Sequence, residues 1–76
     1  MDDVAEQQLD LRGLKCPQPV LRTRRYLRAM APGAMVEVSC TDLLAAIDIP
    51  NLVREMGASL QAVRRDDGVL FFVIRR

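Results

Sequence analysis

Along this chain the spacing of hydrophobic positions switches between two and roughly 3.6 residues four times, and each switch marks the boundary of an element. Leu9 and Leu11 alternate with Asp10, which predicts a short strand from Leu9 to Leu11 ending at the Arg12-Gly13 turn. From about Pro17 to Met30 the spacing is helical: Val20, Thr23, Leu27 and Met30 share one face with Tyr26 at its margin, and Arg22, Arg25 and Arg28 lie opposite. Pro32-Gly33 ends that helix. Met35 to Cys40 reads as a second strand, with Val36, Val38 and Cys40 on one side and Glu37 and Ser39 on the other. Thr41-Asp42 closes it. A second helix is expected to start near Asp48-Ile49-Pro50, with Asp48 as its N-cap and Leu52, Val53 and Met56 as its apolar face, and to end at Gly57. Two further strands, Ser59 to Arg64 and Val69 to Arg75, are joined by the hairpin signal Asp66-Asp67-Gly68. The run Val69 to Ile74 is the most apolar of all and suits a central strand.

The order is therefore βαβαββ in one domain spanning residues 1–76, with residues 1–7 expected to be a flexible N-terminal segment. A right-handed β-α-β crossover makes the first two strands parallel, so the loop carrying Cys16 and the strand end Cys40-Thr41-Asp42 share one edge of the sheet. A domain this small buries only about 60% of the surface its unfolded chain exposes, which leaves little room for a deep substrate cavity and puts the chemistry near the surface. The acidic start Met1-Asp2-Asp3 lacks a secretory signal pattern, and no apolar run approaches membrane-spanning length, so a cytoplasmic protein with reduced thiols is expected.

Candidate chemistry centres on Cys16. Pro17 and Pro19 suit a first helical turn, which sets the thiol before a helix N-terminus. Unpaired N–H groups and the helix dipole favour a thiolate there, and Lys15 and Arg12 add positive charge. The chain has no histidine and two cysteines without a Cys-x-x-Cys spacing. A Cys–His hydrolase, a tetrahedral zinc site and a dithiol oxidoreductase are each disfavoured on those grounds. Cys40 points with the valines and reads as a small core residue, the other reading being a resolving thiol for Cys16. Asp42 and Asp48 read as turn and cap residues rather than acid-base catalysts.

Between residues 11 and 36 lie six positive side chains, Arg12, Lys15, Arg22, Arg24, Arg25 and Arg28, and no acid. Such a face is either simply solvated or docks an acidic surface, with Leu21 as a small apolar anchor among Arg22, Arg25 and Arg28. An RNA- or protein-binding regulatory module built on this helix is the competing class. A net charge of +1 and only three aromatic residues, Tyr26, Phe71 and Phe72, argue against direct nucleic-acid binding.

Three segments, Leu9-Asp10-Leu11-Arg12-Gly13-Leu14-Lys15-Cys16-Pro17-Gln18-Pro19, Cys40-Thr41-Asp42 and Asp48-Ile49-Pro50, resemble the TusA-like (SirA/YedF) sulfur-carrier family over about residues 8 to 75. The resemblance implies a two-layer α/β (α+β) sandwich with a mixed four-stranded sheet of order 1-2-4-3, the last strand antiparallel and both helices on one face. This is similar to the C-terminal domain of translation initiation factor three. It also implies that Cys16 accepts sulfane sulfur as a persulfide and passes it to another protein. No cofactor is implied beyond that transient cysteine persulfide. The implied partners are a cysteine desulfurase and rhodanese-like or DsrE-like donors and acceptors, met by a free monomer away from membranes. The pathways open to such a carrier are tRNA thiolation, cofactor biosynthesis and sulfur oxidation. Leu43 and Leu44 depart from the family pattern, in which a proline and small or polar residues commonly follow the Thr-Asp pair. They are read first as local packing, with a partner-docking patch that includes Leu43 as the other reading.

Overall fold

The computed structural model describes residues 7–76. Six elements follow one another: β1 (Gln7–Leu11), α1 (Gln18–Ala29), β2 (Met35–Cys40), α2 (Ala45–Glu55), β3 (Ser59–Asp66) and β4 (Val69–Arg75). The sheet order is β1-β2-β4-β3, with β1 parallel to β2 and the other two pairings antiparallel. This is the predicted mixed four-stranded α+β architecture. Gln7 belongs to β1, so the strand starts earlier than Leu9, and the rest of the segment expected to be flexible, residues 1–6, lies outside the described residues.

Alternation along β1, β2 and β4 sorts the sheet into two faces, while the edge strand β3 is exposed over nearly its whole length. Leu11, Val36, Val38, Cys40, Leu70, Phe72 and Ile74 are buried and form one cluster with Leu27 and Met30 from α1 and its end, and with Ala45, Ile49 and Val53 of α2. Both helices therefore cover this face, with apolar positions of α2 at Ala45, Ile49, Leu52 and Val53 following the helical period. On the other face Val69, Phe71 and Val73 are only half-buried. Arg64 stacks its guanidinium 3.9 Å from the centre of the Phe71 ring and reaches Glu37 at 3.6 Å. The most apolar run does lie between two other strands, as its composition predicts, yet only alternate residues enter the core. The β3–β4 hairpin closes through Asp67 (φ 51°) and Gly68 (φ 80°), two left-handed residues that match the twist of the flanking strands.

The start of α2 differs from the expected Asp48. Asp42 Oδ1 accepts the Leu44 N–H at 3.1 Å, and the carbonyls of Asp42, Leu43 and Leu44 accept the N–H groups of Ala45, Ala46 and Ile47 at 3.0–3.1 Å. Tight turns thus wind directly into a helix that begins at Ala45, so Asp42 initiates it and Asp48 lies within its first turn. Pro50 sits inside the helix and removes the bond that the carbonyl of Ala46 would otherwise accept. Among the described residues no helix is long and apolar enough to cross a membrane.

Two neighbouring phenylalanines report on the two faces. Phe72→Ala, which empties a fully buried site, is expected to cost roughly 3–5 kcal/mol in urea unfolding. Phe71→Ala, which loses half-buried area and one stacked arginine, is expected to cost about 1–2 kcal/mol. Equal costs would contradict a core confined to the helix side.

Candidate functional site

Parallel pairing brings the site together. Leu11 is in register with Cys40, so β1 and β2 end side by side and the segments that leave them, 12–17 and 41–44, are neighbours. Two bonds fasten those segments. The Gly13 N–H donates to Thr41 Oγ1 at 2.8 Å, with Gly13 in the left-handed region at φ 85°, and the Cys16 N–H donates to Asp42 Oδ2. Because the other oxygen of Asp42 holds the Leu44 N–H, one carboxylate ties the cysteine loop to the start of α2. Crossover handedness already puts Cys40-Thr41-Asp42 at the sheet edge of the Cys16 loop, while the two bonds themselves have no local signature in the sequence.

Cys16 is exposed and precedes Pro17, the N-cap of α1, across a cis peptide bond. The prolines thus stand where the helix begins, Pro17 capping it and Pro19 buried in its first turn. Fewer donors face the thiol than the sequence suggests: the Gln18 N–H is taken by the Lys15 carbonyl at 2.9 Å, and Pro19 has none. Arg12, expected to lend its charge to Cys16, instead forks onto both carboxylate oxygens of Asp10 at 2.8 Å. The side-chain and backbone hydrogen bonds from Arg12 hold the Asp10 carboxyl far below the usual carboxylate range, and Asp10 raises Arg12 in return. Lys15 remains beside the thiol, exposed. From the other side Cys16 Sγ lies 4.0 Å from Asp48 Oδ2 as its donor. Sequence reasoning missed this contact, since Asp48 was assigned to a cap, and no local pattern announces a pairing across 32 positions.

Cys16 stands between two hollows. One, of about 510 Å³, is lined by Leu14, Lys15, Leu43 and Leu44. The other, of about 270 Å³, follows the seam between α1 and α2 past Val20, Arg24, Asp48 and Glu55. Leu43 and Leu44 are 62% and 52% exposed, which corrects the expectation that they serve local packing. Arg22, Arg25 and Arg28 gather with Leu21, 51% exposed, around a shallow depression on the outer side of α1. Arg24 leaves that group and reaches Glu55 of α2 at 3.6 Å.

Cys40 is a core residue. Its side chain is fully buried between partners Leu11 and Leu70, and burial pushes its thiol up to about 11, with the charge of Asp42 adding to the effect. A thiol so placed is shielded from reagents that reach Cys16, so the alternation of β2 is the better guide to it than the resolving-thiol reading.

Comparison with known proteins agrees with the geometry. The family model described as sulfurtransferase TusA matches residues 7–76. A protein of Archaeoglobus fulgidus, provisionally named as a sulfur carrier, is 39% identical over 70 residues, which cover 91% of each chain. The sulfur carrier protein TusA of Allochromatium vinosum is 32% identical over 71 residues, 93% of each chain. The crystal structure of a SirA-like protein from Desulfitobacterium hafniense has the same fold, with a TM-score of 0.76 at 23% identity over 90% of this chain and 93% of that one.

Two measurements check the contrast between the thiols. Iodoacetamide at mildly alkaline pH is expected to modify one cysteine, Cys16, in the native protein and both in denaturant; two modifications in the native state would contradict it. Cys40 also predicts a pH dependence. Its thiol ionises near pH 8.5 when unfolded and at about 11 when folded, so between these values the unfolded state binds fewer protons and stability falls as pH rises. The urea midpoint of the native sequence is expected to drop more steeply across that window than that of Cys40→Ala.

Proposed function

The chain belongs to the TusA family of sulfur-relay carriers, which exchange sulfur with donors and acceptors, and we propose that it holds its cargo as a persulfide on Cys16. The observation that carries this reading is an exposed cysteine, clasped at the sheet end within Cys16-Pro17-Gln18-Pro19, in a chain whose other cysteine is buried. The chemistry is balanced in two steps. The Cys16 thiolate attacks the outer sulfur of a donor persulfide, forming a new S–S bond while the donor's S–S bond breaks and the donor thiolate leaves with the electron pair. An acceptor thiolate then attacks the outer sulfur on Cys16, and the Cys16 thiolate is released. Neither step needs a cofactor or an external oxidant. Activation is a compromise, because a lower thiol pKa raises the ionised fraction and lowers the intrinsic nucleophilicity.

The surrounding residues divide the supporting work. Pro17 and Pro19 set the backbone on which the thiol is presented, and Lys15 supplies the adjacent positive charge. Arg12 acts at one remove, holding the exit of β1 through Asp10. The stripe of Arg22, Arg25 and Arg28 around Leu21 suits an acidic face on a partner, where complementary charge speeds encounter more than it tightens binding. Candidate partners are a cysteine desulfurase and rhodanese-like or DsrE-like proteins in the cytoplasm, and the pathway is tRNA thiolation, cofactor biosynthesis or sulfur oxidation.

Incubation with a cysteine desulfurase and cysteine, followed by intact-mass measurement without reductant, is expected to show a gain of one sulfur atom that Cys16→Ser abolishes and Cys40→Ala retains. Replacing Arg22, Arg25 and Arg28 together by Gln is expected to slow loading from an acidic-faced donor roughly tenfold at low salt, the difference shrinking as salt rises. No gain from any sulfane donor, together with salt-sensitive RNA binding, would favour the RNA-binding module instead.

A further inference from the structure

A partner that exchanges sulfur with Cys16 must bring its own sulfur to within bonding distance of Sγ, so it covers whatever surrounds that atom. On the loop side the surroundings are apolar. Leu14, Leu43 and Leu44 line the same hollow as Cys16, and Ile47, three positions beyond Leu44 in the first turn of α2, extends the surface with 63% exposure. Three large aliphatic side chains within five residues thus stand in solvent, although scattered single exposures are the norm. The fold makes no use of them, because Ala45, Ile49, Leu52 and Val53 supply the buried face of α2. The hollow carries one charge of each sign, Lys15 and Asp42. Asp42 spends both carboxylate oxygens on the N–H groups of Cys16 and Leu44, which leaves Lys15 as the group able to pair with a visitor.

We propose that this collar of Leu14, Leu43, Leu44 and Ile47 receives a partner loop in which the reacting cysteine is flanked by apolar side chains and accompanied by a carboxylate that meets Lys15. The collar lies on the loop side of Cys16, whereas the arginine stripe lies on the outer side of α1, so the carrier presents an apolar recognition surface distinct from its basic one. Burial of leucine against leucine is not weakened by ionic screening, whereas the arginine stripe is. The inference rests on the reading of Cys16 as the sulfur-bearing thiol.

The probes are two synthetic peptides of equal charge, each with one glutamate and one cysteine activated as a 2-thiopyridyl disulfide, the cysteine flanked by leucines in one and by serines in the other. Cys16 thiolate attacks the peptide sulfur, the new disulfide forms, and 2-thiopyridone departs with the electron pair of the broken S–S bond and is followed by its absorbance. The leucine peptide is expected to react roughly five- to tenfold faster, with the ratio maintained at high salt. Leu43→Ser combined with Leu44→Ser is expected to bring the ratio close to one, while Val63→Ser, which removes an exposed aliphatic from β3, leaves it unchanged. Equal rates for the two peptides, or a preference that survives the serine substitutions, would overturn the proposal. So would sedimentation of the native chain as a dimer that the same substitutions dissociate, since a second copy would then be the occupant. Sulfur loading distinguishes the two readings: a chain that loads sulfur on Cys16 without preferring the leucine peptide contradicts the collar alone, and one that takes no sulfur contradicts the carrier.

Discussion

One carboxylate links the parts on which the site depends. Asp42 accepts the Cys16 N–H with one oxygen and the Leu44 N–H with the other, so a single side chain fixes the cysteine loop and starts α2. Hydrogen bonds to an ionised acceptor are among the stronger ones a surface can make. Asp42 stands where it does because β1 and β2 pair in parallel with Leu11 opposite Cys40, and the Gly13 to Thr41 bond adds a second tie, three residues earlier in the cysteine loop and one residue earlier after β2. Sequence order, sheet register and loop chemistry converge on the position of one sulfur atom.

The two cysteines show how the same side chain acquires opposite roles from backbone placement. Cys40 is the last residue of β2, faces the helices and is held as a thiol by burial. Cys16 lies beyond the end of β1, exposed, with the Asp48 carboxylate on one side and Lys15 on the other. A domain with a radius of gyration of 11.1 Å has little interior left once its core is filled, and the proposed carriage of sulfur on Cys16 needs none, since the cargo would travel on the thiol and the partner would supply the enclosure. What remains for this chain is presentation, through a fixed loop, a basic stripe on α1 and an apolar collar at the start of α2.

Much of this was legible in the chain because it depends on local or short-range patterns. Period-two and helical spacing give all six elements, the Asp67-Gly68 turn gives the hairpin, and crossover handedness places Cys16 beside Thr41-Asp42. What escaped sequence reading depends on which of two rival local signals prevails, or on partners far apart in the chain. Asp48-Ile49-Pro50 imitates an N-cap followed by an early proline, and it concealed the earlier start made by Asp42. Arg12 lies close enough in sequence to Cys16 to suggest activation, yet Asp10 is nearer along the strand and takes its charge. The approach of Asp48 to Sγ and the exposure of Leu43 and Leu44 are products of how α2 docks, which no local pattern encodes.

The central claim is that Cys16 is a way station whose sulfur is handed on intact. Its most direct test is a chase. The protein is loaded with isotopically labelled sulfane sulfur, freed of donor and mixed with an excess of an acceptor thiol protein, and the Cys16 peptide and the acceptor are followed by mass spectrometry. The account predicts that label leaves Cys16 and appears on the acceptor in equal amount. Label that stays on Cys16, or is released as free sulfide without reaching the acceptor, would contradict it.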